Sequence, residues 1–192
     1  MKNRQAELVR KLSDRELLLN VYLTQGILLI LTGVIGGLLY REWWFFDEIT
    51  EINWTEMLFL GGGLALVVIL VDSLLMIWLP EEMLDDGGIN ERIFKEISVL
   101  HIFFLSLIIA ICEELLFRGV IQTHFGLFIA SGLFAVIHIR YLTKPVLFTS
   151  VVGISFMLGV LYEWTGNVLV TITAHFLIDF TMGCLIKRKA RN

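Results

Sequence analysis

Six predominantly apolar stretches run along the chain, at 17–40, 57–79, 97–121, 126–141, 145–162 and 167–186, separated by short segments that collect charge, glycine or proline. A helix that crosses a bilayer needs about 20 such residues, so the pattern predicts a bundle of about six transmembrane helices and no strands. Helix starts can be read locally. Ser13 and Glu16 have capping-box spacing just before the first stretch, and Asn53 and Glu56 repeat it before the second, where side-chain oxygens satisfy the first unpaired amides. Pro80, which lacks an amide proton, closes the second stretch.

Composition agrees: 57% of the 192 residues are hydrophobic and the mean hydropathy is +0.79, so lipid is the expected surroundings. Six spans use most of the chain and leave no room for a separate soluble domain. The expected organisation is one membrane domain: a basic segment and two helices at 1–96, a four-helix core at 97–186 and a basic tail at 187–192. The first stretch is long and has no small-residue cleavage site, so it reads as a retained helix, not a signal peptide. Trp43, Trp44, Trp54, Trp78 and Trp164 all fall at predicted span ends, where amphipathic rings favour the headgroup layer.

Lys2, Arg4, Arg10, Lys11 and Arg15 precede the first span, and Lys187, Arg188, Lys189 and Arg191 follow the last. By the positive-inside rule both termini are expected in the cytoplasm, which requires an even number of spans. Arg92, Lys95, Arg140 and Lys144 then also fall on the inner side. The net charge of −4 points to neither a nucleic acid nor a basic partner. Gly36 with Gly37, the run 61–63, and Gly153 with Gly159 read as small residues that let helices approach closely. Cys112 and Cys184 lie in apolar runs and suggest no disulfide framework.

Ionisable groups inside spans are costly, so each is a functional candidate by default. The third span carries Glu113, Glu114 and Arg118; Glu114 and Arg118 are four apart on one face and can form an ion pair, leaving Glu113 free for chemistry. The fourth carries Phe134 and His138 at the same spacing, with the ring able to pack over the imidazole. The sixth carries His175 and Asp179, where the carboxylate can orient the imidazole or share a ligand with it. Helical rise places Glu113, His138 and His175 at similar depths, ~10 to 20 Å in. Asp72 is a further intramembrane acid whose partner the sequence does not identify. His101 and His124 read as interfacial polar residues, and Cys112 and Ser155 as poor nucleophile candidates in apolar settings.

Taken in series, Glu113-Glu114-x-x-x-Arg118, Phe134-x-x-x-His138 and His175-x-x-x-Asp179 resemble the three motifs of the CAAX prenyl protease and bacteriocin-processing family, in the same order and spacing. The resemblance covers about residues 97–186. It implies an intramembrane endopeptidase in which Glu113 and His138 activate a water, His175 and Asp179 hold the oxyanion, and Arg118 pairs structurally with Glu114. It implies a peptide or protein substrate in or at the membrane, and the plasma membrane of a bacterium as the location. One departure stands out: the family often has Asn four residues after the second His, and an ionised Asp has no proton to donate to an oxyanion. A carboxylate there suits a metal better, and His138 and His175 with Glu113 or Asp179 would make a three-ligand Zn²⁺ set with one open position. The metal-free reading is preferred here. Two other classes stay open: a proton- or ion-coupled transporter, in which Asp72 joins the path, and a non-catalytic immunity or scaffold protein with the same fold. Substrate identity and oligomeric state are left open.

Overall fold

The computed structural model describes residues 12–40, 47 and 49–190, and all regular structure among them is helical. Lys2, Arg4, Arg10, Lys11, Trp43, Trp44 and Arg191 lie outside the described residues. Helix α1 spans Asp14–Leu39 and starts at the capping box: the Glu16 amide donates to Ser13 Oγ at 3.3 Å and the Ser13 amide to Glu16 Oε2 at 2.7 Å. Helix α2 spans Trp54–Trp78, capped by Asn53 Oδ1, which accepts from the Glu56 amide at 3.2 Å. A short amphipathic helix α3, Ile89–Glu96, follows a turn in which Asp85 and Asp86 accept amide protons from residues 87–90, with Gly87 and Gly88 at positive φ.

Helix α4, Val99–Phe125, ends at Gly126, whose φ of 82° turns the chain into α5, Leu127–Ile137. Helix α6, Pro145–Thr165, and helix α7, Val168–Lys189, are joined through Gly166 and the cap residue Asn167. Helix α7 is the hub, packing against α2, α3, α4 and α6, while α1 lies on α4 and α5 on α6.

Among the described residues five helices are long and apolar enough to cross a bilayer; the fourth expected span is shorter than the sequence suggests. With 11 residues, α5 is ~16 Å long against ~30 Å of hydrocarbon. It stops because His138 leaves helical geometry (φ −80°, ψ 47°) and the polar run to Tyr141 forms a single 3₁₀ turn. The up-and-down order nonetheless holds. At one end Arg92 pairs with Asp14 at 2.7 Å, Lys187 donates to the Lys95 carbonyl at 2.8 Å, Arg140 donates to Asn90 at 3.0 Å and Lys144 approaches Asp85 at 3.9 Å. At the other, Asn167 donates to the Glu51 carbonyl at 2.6 Å and the Thr123 and Tyr162 hydroxyls meet at 2.8 Å. The start of α1 and the end of α7 therefore share one end of the bundle, so the chain traverses it an even number of times.

Large apolar side chains face outward along α1 (Leu23, Ile30, Leu38) and α2 (Leu58, Phe59, Ile77). So much contiguous exposed apolar surface is a lipid contact, and the protein is an integral multi-pass membrane protein. Trp54, Trp78 and Trp164 stand at helix ends and are exposed, as interfacial anchors should be.

Of the glycines expected to mediate close packing, Gly61 and Gly159 do so, whereas a Cβ on Gly63 or Gly153 would meet nothing within 4 Å. At Gly61 a Cβ would sit 2.7 Å from the Val170 carbonyl oxygen, a backbone atom of α7 that has no side-chain freedom to yield. Gly61→Ala is therefore expected to force α2 off α7 at a cost of ~1 to 3 kcal/mol, lowering the melting temperature in detergent, while Gly63→Ala melts like the wild type.

Candidate functional site

Glu113 and Glu114 lie at the end of the regular part of α4, where the helix widens into a π segment, Leu115–Gln122. Consecutive residues on a helix point ~100° apart. The two carboxylates consequently serve different surroundings.

Glu114 faces inward and is wholly buried with Arg118, whose Nε lies 3.3 Å from Glu114 Oε2, close enough for an ion pair but not aligned as a hydrogen bond. Arg118 also donates through Nη2 to the Ser155 carbonyl at 3.2 Å and hydroxyl at 3.3 Å, which ties α4 to α6. The other Glu114 oxygen accepts from His175 Nδ1 at 2.9 Å. Glu114 is thus more than the structural partner of Arg118: it sets the ring orientation of His175. The sequence did not reveal this, because i,i+4 spacing suggests only contacts within one helix and this one joins α4 to α7.

Glu113 points instead into a cavity of about 440 Å³, lined also by Gln25, Phe134, His138, His175 and Asp179. All four residues expected to be catalytic, drawn from α4, the end of α5 and α7, open onto this one space. Glu114 and Arg118 stand behind its wall. Gln25 Nε2 donates to Glu113 Oε1 at 3.3 Å, while the other Glu113 oxygen meets no described residue. Gln25 was missed in the sequence, where 1–96 showed no resemblance; its signal is a buried amide in an otherwise apolar run.

His138 donates Nδ1–H to the Phe134 carbonyl at 2.7 Å, since a carbonyl oxygen only accepts, and this leaves Nε2 as the acceptor nitrogen of the neutral ring. The bond exists because the helix ends at Ile137. Phe134 organises both imidazoles and the buried cation: its ring stacks on His138 at 4.6 Å between centroids, lies 6.3 Å from the His175 ring and takes the Arg118 guanidinium over its face at 5.2 Å. Asp179 Oδ2 is 3.6 Å from His175 Nε2, beyond hydrogen-bond distance, and its side chain is partly exposed to the cavity.

Among the described residues no group of three His, Cys, Asp or Glu side chains converges as a metal-binding set. His175 is held at Nδ1 by Glu114 and His138 at Nδ1 by the Phe134 carbonyl, so each imidazole keeps Nε2 as its remaining nitrogen.

Residues 95–181 match the type II CAAX prenyl endopeptidase Rce1-like family. The chain is also 46% identical over 167 residues, 84% of its length and 86% of the other, to an uncharacterized protein, YpbD, of Bacillus subtilis (strain 168). The chain belongs to the Rce1-like family. No solved structure matches it. The Rce1-like match begins within α3 and ends in α7, so it takes in Glu113, His138, His175 and Asp179 but not Gln25 of α1 or Asp72 of α2. The similarity to the Bacillus subtilis protein, over 84% of the chain, extends beyond this core.

Proposed function

We propose that the protein is an intramembrane endopeptidase that hydrolyses a peptide bond of a membrane-associated or lipidated substrate with a Glu-activated water. The observation that carries this reading is the convergence of Glu113, His138, His175 and Asp179 on a single buried cavity. In the reaction, a water lies between the unengaged oxygen of Glu113 and Nε2 of His138. Glu113 takes its proton as the water attacks the scissile carbonyl, and the Gln25 amide keeps the carboxylate in place. His175, held through Nδ1 by Glu114, turns Nε2 to the cavity and, when protonated there, donates to the oxyanion of the tetrahedral intermediate. Asp179 lies 3.6 Å from that nitrogen and can orient the ring, which gives an acid a use where an amide donor would otherwise be expected. Glu113 returns its proton to the leaving amine, so the products are a carboxylic acid and a free amine, which in water ionise to a carboxylate and an ammonium.

The gathering of Arg92, Lys95, Arg140, Lys144 and Lys187 at one end of the bundle supports a cytoplasmic position for that end, in a bacterial plasma membrane. The test is cleavage of a library of internally quenched lipidated peptides by detergent-purified protein, with and without a zinc chelator. Cleavage that is insensitive to the chelator is expected. Loss on chelation with recovery on added Zn²⁺ would overturn the metal-free mechanism, and no cleavage of any peptide by folded protein would overturn the enzyme itself.

A further inference from the structure

A second cavity, of about 540 Å³, adjoins the first, and the two share Asn90, Tyr141, Ile154, Ile178, Asp179 and Met182 among their lining. Its volume is within the usual range of ligand sites, ~300 to 1,000 Å³. Much of its wall is aliphatic, from α2, α6 and α7, with acids at the end where α3 begins. Three of those acids already have cations: Glu81 pairs with Lys189, Asp86 with Arg140 at 3.6 Å, and Asp85 with Lys144 at 3.9 Å. Glu91 lies at the exposed rim.

Asp72 differs from all of these. It stands on α2 about 9 Å of helix before Trp78, in a span that is apolar around it apart from the adjacent Ser73, and it makes no hydrogen bond or ion pair with any described residue. An acid held inside a membrane domain without a partner is destabilising, and it is kept where something supplies the missing partner. The wall shared through Asp179 leaves a chain seated for cleavage at Glu113 room to continue into the chamber of Asp72.

We infer that this second chamber is a specificity subsite in which Asp72 receives the cationic side chain of a Lys or Arg residue of the peptide substrate, at a fixed number of residues from the scissile bond. This rests on the endopeptidase reading. A cation entering the chamber carries its aliphatic stem along Leu75, Met76 and Ile154 and brings the charge to the carboxylate, a combination that suits Lys and Arg better than a small cation. With the three basic residues at the mouth tied to their own acids, Asp72 selects by charge.

The test starts from any peptide that the wild type cuts and places Lys, norleucine or Glu at each position in turn. Norleucine keeps the stem and removes the charge. At one position Lys is expected to exceed norleucine by ~10-fold or more in kcat/KM. Asp72→Asn brings that ratio close to one, Asp72→Glu keeps it, and Asp72→Lys shifts the preference at the same position to Glu. A wild type that cuts peptides with no charge preference at any position, or a preference that survives Asp72→Asn, overturns the subsite and leaves the endopeptidase reading intact. Equal losses in Asp72→Glu and Asp72→Asn would make the residue structural and also overturn it. A wild type that cuts nothing overturns both readings together.

Discussion

Glu113→Gln is expected to lower kcat for peptide cleavage by ~10²- to 10⁴-fold with little change in KM, because the amide has no basic oxygen with which to take a proton from water. The substitution is nearly isosteric. Its carbonyl oxygen can still accept from Gln25 Nε2, the one hydrogen bond the carboxylate makes to a described residue, so the variant should melt close to the wild type. This separates chemistry from folding more cleanly than Glu113→Ala, which would also open space in the cavity wall. Steady-state kinetics on a single quenched peptide, alongside a melting curve, makes the comparison; a kcat within about threefold of wild type would remove Glu113 from the role of base.

Arg118→Met should have the opposite signature. Arg118 and Glu114 are both fully buried, and taking away one member of such a pair leaves an uncompensated charge, at a cost of ~3 to 5 kcal/mol. The loss of the Ser155 contacts, which join α4 to α6, adds to it. The melting temperature should fall sharply. Activity should fall with it even where the protein remains folded, since Glu114 holds His175 through its other oxygen. The double variant Arg118→Met with Glu114→Gln, which removes both charges, should recover part of the stability but little of the activity. Equal stabilities for Arg118→Met and the wild type in a detergent or denaturant melt would show that the pair carries none of the fold's stability.

The four residues expected to be catalytic were legible because membrane spans contain few ionisable groups, so each one stands out against an apolar background. The helix starts at Ser13 and Asn53 were equally plain, since capping is a local property of three or four residues. What escaped notice depends on contacts between helices. The Gln25 amide lies 88 positions from Glu113, and His175 lies 61 from Glu114, distances at which no periodicity speaks. The end of α5 escaped for a different reason: residues 126–141 contain enough apolar side chains for a full span, but His138 and Arg140 take hydrogen-bond partners that a continuous helix would not give them. The glycine run 61–63 shows the same limit on a smaller scale, since only the contact with α7 distinguishes Gly61 from Gly63.

The shortness of α5 also bears on the surrounding lipid. Its outer flank, with Phe128, Leu133 and Val136 exposed, offers ~16 Å of apolar length where the neighbouring helices offer ~30 to 40 Å. Such a mismatch, ~14 Å on one side of the bundle, is of the kind that a bilayer accommodates by thinning. His138 ends that helix, so a thinned flank would bring the water boundary closest to the residue proposed to act on a water molecule. Under the proposed reaction, a hydrolase embedded in hydrocarbon has to import one of its two reactants, and a thinner bilayer at this flank would shorten the route.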